Sequence, residues 1–142
     1  IDGDLPLASW PHIPGTAWLF AQELRTGRDD MLDCTRLPVG FIDLLASCDA
    51  VLTKPGCGTY TEAVCNAVPI LTLARPDWPE TAGMNDWARM HGRLHEISQA
   101  DFACGGFDAA LPALWRQPPV TPPGPTGIGQ AVELLAARLA SD

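Results

Sequence analysis

The sequence predicts an α/β protein built on a Rossmann-like parallel sheet with helices on both faces. Three observations predict it. Short apolar runs recur at Thr16–Ala21, Ala50–Thr53 and Val68–Leu73, helical patterns lie between them, and one run breaks at paired glycines before restarting as a helix. Neighbouring parallel strands need a crossover between them, and a helix is the usual one.

The elements follow in order. Ile1-Asp-Gly3 reads as a glycine turn with nothing in front of it, and residues 10–15 as an irregular connector. Thr16–Ala21 is a short strand, and Gln22–Asp33 is polar enough to read as a loop. Between Gly40 and Cys48, apolar residues at Phe41, Leu44, Leu45 and Cys48 recur at i, i+3, i+4 and i+7, the stripe of an amphipathic helix. That helix feeds the Ala50–Thr53 strand. Gly83–His91 is a further helix ending at Gly92, Arg93–Ile97 an edge strand with alternating polarity, and Phe107–Trp115 another helix. Prolines at 118, 119, 122, 123 and 125 force an extended spacer. The segment Thr126–Leu139 closes the chain as a helix with Ile128, Ala131, Val132, Leu135 and Leu139 on one face.

With 142 residues, 46% of them hydrophobic, the chain builds one domain, 1–142, with a sizeable core. A net charge of −8 argues against a nucleic-acid surface, which needs basic patches. No apolar run approaches the roughly 20 residues of a membrane span. Five cysteines, an odd number without C-x-x-C spacing, point to a reducing and therefore cytoplasmic setting. His12, His91 and His95 are too scattered to predict a metal site, and no cofactor motif is present.

The segment Lys54-Pro-Gly-Cys-Gly-Thr-Tyr-Thr-Glu62 carries the chemistry. A strand that stops at Gly56 and Gly58 and restarts as a helix presents bare N–H groups and a positive dipole end, which suits a phosphate. It is neither a dinucleotide fingerprint, which has three glycines, nor a P-loop, whose lysine follows the second glycine. Two bland readings stand beside this one. The glycines could merely make a tight turn, and Thr59-x-x-Glu62 fits a capping box, with Thr59 capping the helix and Glu62 reaching back. The Ala74–Thr81 loop follows the next strand, so it and the glycine turn should share a crevice beyond the strand ends. There Arg75 offers a second positive charge, Trp78 a flat wall and Glu80 an acceptor for hydroxyls, unless Trp78 is simply packed into the core.

Lys54-x-Gly56-x-x-Thr59-x-x-Glu62-Ala63, then Val68-Pro69, then a segment of proline, acid and asparagine, resembles the nucleotide-diphosphate-sugar signature of GT-B glycosyltransferases. The similarity is greatest to the UDP-glycosyltransferases and the peptidoglycan N-acetylglucosaminyltransferase. It covers about Phe41 to Ile97. The resemblance implies one half of a GT-B fold, the half that binds the donor, a UDP-sugar, in an inverting enzyme. It implies that Gly56, Cys57, Gly58 and Thr59 contact the diphosphate, that Glu62 accepts hydrogen bonds from the ribose, and that Thr81 and Asn85 lie with Glu80 in the sugar-recognition segment. Lys54 stands where the family has histidine, Ala67 where it has glycine, and Glu80-Thr81 where it has Asp-Gln, with Asn85 one residue late.

The resemblance further implies that the chain is a fragment lacking its first strand and the N-terminal acceptor domain. In that family the general base lies on the N-terminal domain, so no catalytic residue is expected here and the fragment alone should be inactive. Exposed apolar surface where the missing parts belong would favour self-association. Two other readings are a nucleotide-sugar 2-epimerase domain, which shares the fold, and a non-catalytic α/β interaction domain with a vestigial pocket.

Overall fold

Two parallel ladders carry the fold, in a computed structural model that describes residues 5–23, 26–124 and 126–140. The expected turn at Ile1–Gly3 and the last spacer proline, Pro125, lie outside the described residues. Strand β1 (Trp18–Phe20) pairs with β2 (Met31–Asp33), Trp18 opposite Met31. The second sheet has the order β3-β4-β5, formed by Val51–Thr53, Ile70–Leu73 and Leu94–Ile97. Val51 stands opposite Ile70 and Ile70 opposite Leu94.

Every residue of β4 is buried, as the central strand of a sheet covered on both sides must be. Its alternate side chains build two cores. On one face Ile70 packs with Leu94 against Leu45 of α1 (Phe41–Ala46), Tyr60, Ala63 and Val64 of α2 (Cys57–Cys65), and Ala88 of α3 (Thr81–His91). On the other face Leu71 and Leu73 pack with Ile97 against Phe102 of α4 (Gln99–Cys104) and Leu111 and Leu114 of α5 (Ala110–Trp115). Trp10 and Phe107 meet edge to face in that second core, 4.8 Å between ring centroids. The architecture is a Rossmann-like α/β fold with helices on both faces of parallel strands.

Several element boundaries depart from the sequence reading. Met31–Asp33 is a strand, not loop: three residues beside acids show no period, and only pairing with β1 reveals them. Helix α4 also escaped, although Ser98 and Asp101 form a reciprocal capping box at its start. Helix α3 begins at Thr81, two residues before the expected start. The last helix, α6 (Gly127–Leu139), buries none of its residues, so its apolar face has no cover within the described structure. No helix among the described residues is long and apolar enough to cross a membrane.

Candidate functional site

The glycine turn joins the end of β3 to the start of α2, and the next loop leaves β4, the neighbouring strand. Both loops therefore stand at the carboxyl edge of the same sheet, where open α/β sheets place ligands. Helix α2 begins at Cys57 with Gly56 at its N-cap, and no side chain caps it. Its first internal bond runs from the Tyr60 N–H to the Gly56 carbonyl, 3.1 Å. The amides of Cys57, Gly58 and Thr59 precede that bond, so they are the donors a helix start leaves over.

The two bland readings of this segment fail on geometry. Thr59 is the third residue of α2 rather than its cap, and Glu62 is the sixth, so the expected capping box is absent. The glycines are not required by the turn either. Gly56 is fully extended at φ −175°, a conformation any residue adopts. A Cβ on Gly56 would meet nothing closer than the Lys54 carbonyl at 3.9 Å, and one on Gly58 would find nothing within 4 Å. Glycine at both positions thus leaves open space above uncapped amides. Glu62, half-buried, lies three and four residues on from Thr59 and Gly58, hence on the same face of α2 one turn further along. Lys54 sits half-buried where β3 ends.

The Ala74–Thr81 loop is organised around itself. The Arg75 guanidinium stacks 4.8 Å from the Trp78 ring centroid and lies 3.7 Å from the Asp77 carboxylate. Trp78 is 46% exposed, which overturns the reading that it packs into the core, and its indole N–H reaches Glu80 at 3.5 Å. Glu80 is exposed at the N-cap of α3.

Thr81 and Asn85, by contrast, turn into the protein. Thr81 is buried and its hydroxyl has no partner among the described residues. Asn85 is 2% exposed, and both ends of its amide are engaged. It accepts from Tyr60 Oη at 2.8 Å and donates to the Glu96 carboxylate. Tyr60 in turn takes the Thr72 hydroxyl at 2.5 Å, completing a polar chain from β4 through α2 and α3 to β5. Burial pushes the Tyr60 phenol pKa up, which keeps it a donor. Sequence reasoning placed Asn85 toward a ligand because spacing gives an asparagine's position in a helix but not which way that helix is rotated.

Of the candidate residues, Thr59 alone borders either of two surface cavities. A groove of about 690 Å³ runs from there between β1 and β3, and a second cavity of about 570 Å³ lies around Asp49, Pro69 and Arg93, at the opening ends of β3, β4 and β5. One cluster was missed in the sequence. His12, Asp29 and Asp30 bring their ligand atoms within 4.8 Å of one another. Asp30 is already held there by two bonds from Arg28, at 2.9 and 2.6 Å, and the guanidinium holds its carboxyl down at about 2. All five cysteines are free thiols.

Comparison with protein-family models, with curated proteins and with solved structures found no match for this chain.

Proposed function

We propose that this chain is the donor-binding half of an inverting GT-B glycosyltransferase, taking a nucleotide-diphosphate sugar of the UDP type at the Gly56–Thr59 turn. The observation that carries the reading is the pair of glycines at an uncapped helix start that neither backbone conformation nor crowding demands. Close approach of a ligand to the backbone is what remains to require them.

In this reading the amides of Cys57, Gly58 and Thr59, the Thr59 hydroxyl and the Lys54 charge stabilise the negative charge that grows on the departing diphosphate. Glu62, one turn along the same face, takes the ribose hydroxyls. Arg75 and Glu80 approach from the neighbouring loop. Thr81 and Asn85 act from behind, Asn85 by fixing α2 and α3 through Tyr60. The acceptor and the general base belong to a separate N-terminal domain.

One departure from the family pattern has a physical explanation that favours the resemblance. Ala67 stands where the family has glycine, and its φ is +58°, the left-handed region glycine favours. Val68 N–H bonds the Ala63 carbonyl at 2.9 Å and Ala67 N–H the Val64 carbonyl at 3.1 Å, the Schellman pattern that places glycine at this residue. The backbone keeps the family's turn although the side chain has changed.

Thermal unfolding in UDP, GDP, ADP and dTDP tests the proposal. UDP at a hundred times its Kd should stabilise by about 2.7 kcal/mol, and E62Q should weaken that effect with little change in the unliganded melting temperature. G58A separates the roles further. Alanine is the better helix former by up to about 1 kcal/mol, so the unliganded protein should gain stability while UDP affinity falls. No shift with any nucleotide would leave an interaction domain with a vestigial pocket.

A further inference from the structure

The amino ends of β3, β4 and β5 close on the cavity of about 570 Å³ that Asp49, Pro69 and Arg93 line. Each of these residues leads into one of the three strands, and neighbouring strands lie about 4.8 Å apart, so the backbones at Asp49 and Arg93 stand roughly 10 Å apart with Pro69 between them. The glycine turn is at the other edge of the sheet. Helix α2 spans the two, beginning at the turn and reaching the cavity at Asn66 and Ala67. None of the lining residues adjoins a segment outside the described residues.

Opposite charges line this space without meeting. Arg28, Arg75 and Arg93 are all half-buried. Arg28 meets the carboxylate of Asp30 and Arg75 that of Asp77. The Arg93 guanidinium meets neither a carboxylate nor any other hydrogen-bond partner among the described residues, in a chain where acids outnumber bases 17 to 9. Leu94 packs into the core on the α2 and α3 side, so by alternation Arg93 leaves the other face of the sheet, where α5 carries Trp115. A guanidinium is a fork shaped for an oxyanion. Asp49 supplies the negative charge, and the carboxyl end of α2 adds partial negative charge to the same cavity. Trp115 lines it too. Its indole N–H bonds the Asp49 carbonyl at 3.1 Å, which fixes the ring, and the side chain is 40% exposed.

We propose that this cavity binds a free aromatic α-amino acid, with the carboxylate on Arg93, the ammonium on Asp49 and the side chain against the Trp115 ring. A simple anion would satisfy Arg93 but face Asp49 and the end of α2, and a simple cation would leave Arg93 unpaired. A zwitterion meets both charges, and a flat side chain meets the ring. The volume is that of a small-molecule pocket. This site is independent of what the glycine turn binds, and its test needs no nucleotide.

The test is a titration of the full chain with L-phenylalanine, followed through the Trp115 indole N–H and Arg93 side-chain N–H resonances. Both should shift saturably, with a Kd on the order of a millimolar or below. On the same unaltered chain, 3-phenylpropionate, which lacks the ammonium, phenethylamine, which lacks the carboxylate, and glycine, which lacks the ring, should each bind roughly tenfold or more weakly. R93M should weaken L-phenylalanine by a similar factor with little change in the unliganded melting temperature, because the guanidinium it removes bonds nothing. D49N should weaken L-phenylalanine and leave 3-phenylpropionate as it was. No saturable shift, glycine binding as well as L-phenylalanine, a folded R93M protein that binds as before, or a D49N loss of equal size for both ligands would overturn the proposal.

Discussion

Ala67 and Gly105 both occupy left-handed backbone, and only one of them is glycine. An L-residue there costs roughly 1–2 kcal/mol, partly offset because glycine loses more freedom on folding. A67G should therefore stabilise the protein by about 0.5–1 kcal/mol, read as a melting temperature several degrees higher. Gly105 is the reverse case. A Cβ there would stand 2.6 Å from Pro11 Cδ and 2.7 Å from the Ser9 carbonyl, in addition to the strain of φ +74°. G105A should cost about 3 kcal/mol in a denaturant titration. The sequence alone showed Ala67 as an unexplained departure from a pattern. Its meaning appeared only with the backbone angle, since one residue's conformation is set by the carbonyls around it.

At the scale of elements, what was legible followed from period and punctuation. Leu44 and Leu45 marked a helix by spacing, though it ends at Ala46, short of Cys48; Gly92 marked the end of α3; and the edge strand Leu94–Ile97 was found although its burial does not alternate. What was hidden depended on pairing or rotation. Met31–Asp33 has no pattern of its own, and the inward turn of Thr81 and Asn85 follows from how α3 packs on α2. The connector before β1 was legible as irregular, but its anchor was hidden, because Arg28 holds it from a distance in sequence. Besides Asp30, Arg28 donates to the carbonyls of Trp10 at 2.6 Å and Pro11 at 3.2 Å.

That clamp has a pH signature. Asp30 is lowered to about 2 from an ordinary 3.8 chiefly by its bonds from Arg28, so its stabilisation is fully present above pH 3.8 and is lost as pH falls through 2. R28M should lower the denaturation midpoint at neutral pH by more than it does at pH 2, where the carboxyl is losing its charge in both proteins. A gap between the two proteins of equal size at both pH values would mean that the carbonyl contacts alone matter.

At the scale of the whole molecule, two of the apolar surfaces left uncovered among the described residues differ in how they relate to the core. The groove opens onto Leu71 and Leu111, so it is continuous with the core. Helix α6 is separate: Ile128 is 81% and Leu139 78% exposed, and none of its residues is buried. The last contact of the body before the proline spacer is Gln117, which bonds both backbone groups of Leu94 at 3.1 and 3.0 Å. A chain ending at Gln117 should therefore unfold only a few degrees below the parent, because it gives up an exposed helix and, of its packing, only that of the half-buried Val120, Pro122 and Pro123. The same deletion locates any self-association. If sedimentation shows the parent associating as its concentration rises and the shortened chain remaining monomeric, α6 supplies the contact, with the apolar stripe of one copy on that of another. If the shortened chain associates as before, the contact lies on the body of the domain.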